Sequence, residues 1–351
     1  MTSATTPVEV IVHFIHRHFI WIIVSSYIVA AVLPGFGLGI RNLNLGSVTV
    51  FQGKLVFSLP PIMLASLLFN AGLGVRTAEL KHMLRKPLVL LGGVFGNVAA
   101  PMAFIMAVSF AMRFWHNPEE VQQILVGLAL VASMPIAGAS TAWSQNANGN
   151  LALSLGLVLA TTLLSPLLTP MVLHAVGFVT TGDYSDDLHE LAADGAVSFL
   201  GAWVILPSLL GILARWVVGE HRITAVMPYL KLINFGVLVL LNYSNASLAL
   251  PTALSQPDPD FLAVMLAIVI ALCIVAFASG YLLARVFQSD RKETVSLMFG
   301  LGMNNNGTGL VIASMALADH PQVMLPIIFY NLVQHLVASA VDIAVFRRSP
   351  P

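Results

Sequence analysis

The chain has 351 residues, 58% of them hydrophobic and only 9% charged, against about 25% charged in a typical soluble domain, which excludes an ordinary soluble enzyme. Sixteen Lys and Arg balance sixteen Asp and Glu, so no net field and no basic stripe exist to hold nucleic acid. The single cysteine, Cys273, lies in an apolar run, which leaves no intrachain disulfide and no paired-cysteine metal or redox motif.

A helix needs about 20 mostly apolar residues to cross a bilayer, and the chain divides into ten such stretches. The first, 19–37, is too long and lacks the small-residue flank of a cleavable signal. Spans two and three, 54–74 and 87–112, carry Asn70 and Asn97 inside apolar sequence. Span four, 121–148, contains SMPIAGASTAWSQNANGN, with Pro135 and Gly138 in mid-helix. Span five, 151–178, has Ser154 in its first turn, and the joint after it is wholly acidic, from Asp183 to Asp194. Spans six and seven cover 196–217 and 227–248, the latter with Lys231, Asn234 and Asn242. Span eight is 261–286. Span nine, 294–317, contains FGLGMNNNGTGLV, and span ten, 322–346, carries Asn331, Gln334, His335 and Asp342.

Cytoplasmic joints retain Lys and Arg, which sets orientation. With ten spans, twelve of the sixteen basic residues fall on one side: Arg17, Arg76, Lys81, Arg85, Lys86, Arg215, Arg222, Arg285, Arg291, Lys292, Arg347 and Arg348. Arg41, Lys54 and Arg113 fall on the other. The expectation is a multi-pass protein of the plasma (inner) membrane with both termini cytoplasmic and the bilayer as its main partner. The sequence does not set an oligomeric state.

Ten spans make two sets of five, and an odd number per set inverts the second relative to the first. The fourth span of each set is the interrupted one. Backbone groups freed by such breaks cannot face lipid, where each unsatisfied group costs several kcal/mol, so the breaks are expected to meet inside the bundle. Half-helices starting near Ser140 and Thr308 then offer N–H groups and positive dipole ends to a small anion. The alternative is that Gly and small polar residues serve only tight helix packing.

These residues resemble the bile acid:sodium symporter family of secondary transporters. PIAGASTAWSQNANGNLALSLGLVLATTLLSPLLTP (135–170) is similar to its fourth and fifth helices, GLGMNNNGTGLVIA (300–313) to its Glu-x-Gly-Met-Gln-Asn crossing helix, and FNAGLGVRTAELKHML to its second helix and following loop. The resemblance implies an all-α fold of ten helices in two inverted five-helix repeats with crossed discontinuous helices four and nine. It implies one transmembrane unit with panel-like helices 19–37, 54–74, 196–217 and 227–248, and core-like segments 87–178 and 261–346. Substrate sits between them, with sodium near the crossing. Carried over by position, the sodium candidates are Ser140, Thr141, Ser154, Asn304, Asn97 and Met303. The substrate candidates are Gly138, Ser140, Asn305, Asn306 and Thr308, joined by Asn70, Asn242 and His335. One departure stands out: the acidic sodium ligand is Gly300 here, and Val158 replaces a usual hydroxyl. Loss of a carboxylate removes the main charge compensation for a buried cation, so sodium is expected to bind weakly at most.

Two residues keep two readings each. His335 shares a helical face with Asn331 and Asp342, as a proton relay or as interhelical hydrogen bonding. Lys231 either snorkels to the cytoplasmic interface or meets a substrate anion. A membrane hydrolase or prenyltransferase lacks its motifs here: no nucleophile elbow surrounds Ser140, and the one Asp cluster lies in an outer joint. The expectation is therefore a transporter of a small organic anion by alternating access. A proton-coupled carrier, or a sodium/proton antiporter of related fold, is the first alternative. A receptor or scaffold that transports nothing is the other.

Overall fold

The computed structural model describes residues 7–50, 53–75 and 86–347. Arg76, Lys81, Arg85 and Arg348, used in the charge count, lie outside the described residues. The chain is an all-α polytopic membrane protein. Among the described residues six helices are long and apolar enough to cross a bilayer, or seven with one bent pair.

The bent pair opens the chain. Helix α1 (Pro7–Val32) turns by 90° at Leu33–Pro34 into α2 (Gly35–Asn42). An antiparallel hairpin follows, β1 (Asn44–Val50) and β2 (Gly53–Ser58). Residues 54–58, expected as the start of span two, are therefore strand. Helix α3 (Leu59–Gly74) begins only where Pro60 and Pro61 supply pre-set φ angles and need no donor.

Helix α4 (Pro87–Ala111) likewise begins on a proline, and α5 (Pro118–Ser133) is capped by Asn117, whose side chain accepts from Glu119 N at 3.1 Å. Span four then breaks, and α6 (Ala139–Asn146) is its short second limb. Asn150 caps α7 (Leu151–Gly177). The acidic joint holds a helix of its own, α8 (Asp183–Glu190), ahead of α9 (Ala196–Val218). Helix α10 (Glu220–Ser255) has 36 residues, about 54 Å at 1.5 Å per residue, and so overruns span seven at both ends. Helix α11 (Pro259–Val286) is capped by Asp258. Span nine is α12 (Arg291–Gly302), started by an Asp290–Glu293 capping box, and α13 (Asn306–Ala316). Span ten is α14 (Pro321–Phe346).

Helix α1 packs along α10, and α3 packs against α9 and α10. The α3–α9 approach needs glycine on both sides. A Cβ on Gly72 would lie 2.2 Å from Ser208 O, and one on Gly211 would lie 2.1 Å from Phe69 O. On the other side of the molecule α4, α7, α11 and α14 pack around the interrupted spans α5–α6 and α12–α13. Helix α5 is buried on nearly every face, with Ile124, Leu125, Leu128 and Leu130 fully enclosed, as a helix apolar all round must be. Outward faces carry Trp21, Phe95, Leu167 and Trp216, suited to lipid.

Candidate functional site

The two interruptions lie against each other. Pro135 cannot continue the α5 ladder, and Asn304–Asn305 competes for backbone partners between α12 and α13. The two freed strands of backbone pair: Ile136 and Asn304 form an antiparallel bridge, Ala137 N donates to Met303 O at 2.9 Å, and Asn305 N donates to Pro135 O at 2.8 Å. The limbs also touch through Trp143 stacked on Phe299 at 5.9 Å and Ser144 Oγ 2.8 Å from Ser296 Oγ.

Beside this joint is a cavity of about 390 Å³, bounded by α1, α3 and α10 on one wall and by the breaks and α14 on the other. Its walls are mostly apolar, with Phe19, Ile20, Ile23, Leu64, Leu67 and Leu238 among them. The floor is polar: Gly138, Asn242, Asn304, Asn305, Asn306, Gln334 and His335 line it. Of the substrate candidates, Gly138, Asn242, Asn305, Asn306 and His335 thus meet on one surface. Ser140 and Thr308 do not line it; both are fully buried with unpartnered hydroxyls. Asn70 stands one step back, donating to Asn234 Oδ1 at 2.7 Å, and Asn234 lines the wall. Asp342, at the far end of the expected His335 stripe, is not on the wall either.

The two half-helices differ at their starts. Helix α13 is capped by its own chain, Asn305 Oδ1 accepting from Thr308 N at 3.4 Å. Helix α6 has no side-chain cap, and Gly138 and Ala139 at its start are exposed on the cavity. The positive end of α6 is the one open to an anion.

Lys231 also lines the cavity, and among the described residues it joins no ion pair. Snorkelling was the simpler reading of its place in the sequence. Its rotational position on α10, which no single-helix argument fixes, turns it to the cavity. A polar chain leads from the joint to the opposite wall: Asn304 N donates to Gln334 Oε1 (3.1 Å), Gln334 Nε2 to Asn331 Oδ1 (3.4 Å) and Asn331 Nδ2 to Tyr27 OH (2.9 Å). Tyr27 carried no signal in sequence. Gln334→Leu is expected to strand the buried Asn304 N–H and destabilise by about 1–3 kcal/mol. Thermal unfolding in detergent measures this, with exposed Leu336→Ala as the unaffected control.

One side of the joint holds several buried oxygens with unused acceptor capacity. Asn97 and Asn304 donate through Nδ2 to Met134 O and Val131 O, and their Oδ1 atoms, like Ser140 Oγ, are buried without hydrogen-bond partners. Thr141 and Ser154 hydroxyls bond each other at 3.2 Å, and Met303 O accepts from Ala137 N; each oxygen keeps a lone pair. All of these are neutral oxygens, the chemistry a monovalent cation takes, and none supplies a compensating charge. The Gly300 side does not fit a cation. A Cβ there would lie 3.1 Å from Leu157 Cδ1, inside a buried cluster with Ile136, Leu297 and Leu301. Among the described residues no three His, Cys, Asp or Glu side chains come together.

The model of the sodium bile acid symporter family matches residues 61–256, from the start of α3 to the end of α10. The chain belongs to that family. Its members are transporters, and the protein is a membrane transporter rather than an enzyme. Two relatives from Bacillus subtilis strain 168 are similar along most of their length. One is the uncharacterized protein YbaS, 25% identical over 80% of this chain and 86% of its own. The other is the uncharacterized sodium-dependent transporter YocS, 26% identical over 72% of this chain and 73% of its own. The family match takes in α5, α6 and Lys231 and stops short of α12 and α13.

Proposed function

We propose that the protein is a secondary transporter of an organic carboxylate with an apolar body, working by alternating access. The observation that carries this reading is an apolar cavity whose one ammonium, Lys231, is unpaired and whose floor presents the uncapped start of α6. A carboxylate docks between Lys231 and the amides of the joint while its hydrocarbon part lies along Phe19, Ile23, Leu64 and Leu238.

In this reading the chain has ten spans in two inverted five-helix repeats. The bent pair α1–α2, the 16-residue α3 and the broken α5–α6 and α12–α13 complete the six long helices, with α6 and α13 crossing at the joint. Panel-like helices α1, α3, α9 and α10 rock against core-like α4–α7 and α11–α14. The basic joints lie in the cytoplasm, with both termini, and in this reading the mouth of the cavity is on that side, toward Ile15 and Lys231 of its lining. The membrane is the plasma (inner) membrane.

Sodium, where used, is held by Ser140, Asn97 and Asn304 with help from Thr141, Ser154 and Met303 O, and contributes charge that the anionic substrate completes. With no carboxylate at position 300, coupling to sodium is weak. His335 on the cavity wall favours a second reading, proton coupling, in which the imidazole takes a proton as the anion binds. The test is accumulation of a panel of short- and medium-chain carboxylates in proteoliposomes, with and without a sodium gradient and at acidic external pH. Saturable uptake that Asn305→Leu abolishes is expected. That variant stays folded, because it loses a floor amide and a cap costing about 1 kcal/mol. No uptake of any carboxylate under any gradient refutes the reading.

A further inference from the structure

Arg41 lies four residues after Gly37, on the same face of α2. Gly37 lets that face touch α10, since a Cβ there would lie 2.2 Å from Ser247 Oγ. Tyr243 fixes the contact, its hydroxyl donating to Leu33 O and accepting from Gly37 N at 3.2 Å. Arg41 then reaches two acceptors. Its Nη1 donates to Asn245 Oδ1 at 3.2 Å and its Nη2 to Ser314 O at 2.5 Å, in the last turn of α13. One guanidinium therefore ties α2 and α10 to the second limb of span nine.

Neither acceptor carries a charge, and among the described residues Arg41 takes part in no ion pair. Arg215 shows the contrast. It is bound to Glu220 and to Leu73 O, wholly within the α3–α9–α10 group. Beside Arg41, Asn245 is completely buried and its Nδ2 has no acceptor. Exchanging the amide's O and N would aim an N–H₂ at the guanidinium, so its orientation is fixed. A cation without a carboxylate next to a buried donor without an acceptor is a set of groups that lacks an anion. The place is one turn of α10 beyond Asn242, the last residue of that helix on the cavity wall, so it lies past the end of the lining away from Ile15 and Lys231.

We propose that Arg41 and Asn245 form a second anion site, on the face opposite the cavity mouth, where a carboxylate displaces the Arg41–Ser314 bond and thereby unlatches that face. The site rests on the carboxylate-transport reading and extends it to the other side of the membrane. Carboxylate is the better partner for a guanidinium, binding through two parallel charge-assisted bonds. The displaced Ser314 O is left to water, with no stranded charge.

The test uses the full chain in detergent micelles, both faces open to reagent, with buried Cys273 replaced by Ala and a reporter cysteine at Ser314→Cys or, on the cavity wall, Ile20→Cys. Hexanoate is expected to speed maleimide labelling at 314 severalfold and to slow it at 20, while hexanol does neither. Arg41→Gln is expected to label fast at 314 without any anion and to lose the hexanoate response; Arg41→Lys keeps part of it. Slow labelling at 314 in Arg41→Gln, or an undiminished hexanoate response there, overturns the proposal. So does faster labelling at both positions, which marks a loosened fold. Because labelling reads docking and not uptake, a protein that responds in this way yet accumulates no carboxylate keeps the site and refutes the transport reading.

Discussion

Lys231→Gln is expected to weaken uptake of a carboxylate about tenfold, mainly through a higher KM. A charge-assisted hydrogen bond contributes about 1.5–3 kcal/mol, and the exposure of Lys231 lowers that toward the 1.4 kcal/mol that corresponds to a factor of ten. Lys231→Arg keeps the charge and is expected to keep most of the affinity. The discriminating measurement is inhibition by the matching carboxamide, which has no charge to lose. If amide and acid weaken equally in Lys231→Gln, the lysine only covers the apolar wall and the anionic substrate class falls with it.

Gly211→Val is expected to remove most of the folded protein. The added branch would sit where Phe69 O already lies 2.1 Å from an ideal Cβ, and the obstruction is backbone, which cannot rotate aside. Overpacking of a well-filled site costs about 1–3 kcal/mol and more when the backbone must move, and α3 and α9 have to separate. Gly236→Ala supplies the comparison, because nothing lies within 4 Å of a Cβ there. It is expected to be neutral or to stabilise α10 by up to about 1 kcal/mol. Monodisperse yield in detergent after mild heating reports both, and equal yields of the two variants would mean that the close approach of α3 to α9 does not hold the fold.

What the sequence made legible follows the physics of backbone satisfaction. Pro135, Gly138 and the run Asn304–Asn306 announced two interruptions, and those breaks pair through Ile136 and Asn304. The hairpin of 44–58 was hidden because Leu55, Val56 and Phe57 raise the apolar content of a window without showing whether the period is two or 3.6. The 90° bend at Leu33–Pro34 gave only the signal of a proline, which marks a boundary but not an angle. Side-chain direction was harder still. Ser140 and Thr308 share their segments with cavity residues yet point into the packed joint, whereas Lys231 points to the cavity. These differences depend on how each helix is rotated against its neighbours, which local sequence does not encode. The role of Arg41 was illegible for the same reason, since its partners lie 204 and 273 residues away.

The unequal ends of the two short helices bear on stoichiometry. Approximate twofold repetition would by itself furnish a pair of equivalent berths, one per repeat. Asn305 caps its own helix start with an amide oxygen, and the start at Gly138 has no side-chain cap. On the proposed two-repeat, carboxylate-carrying reading, that inequality would limit the carrier to a single solute in each cycle, with its acidic head held in one direction.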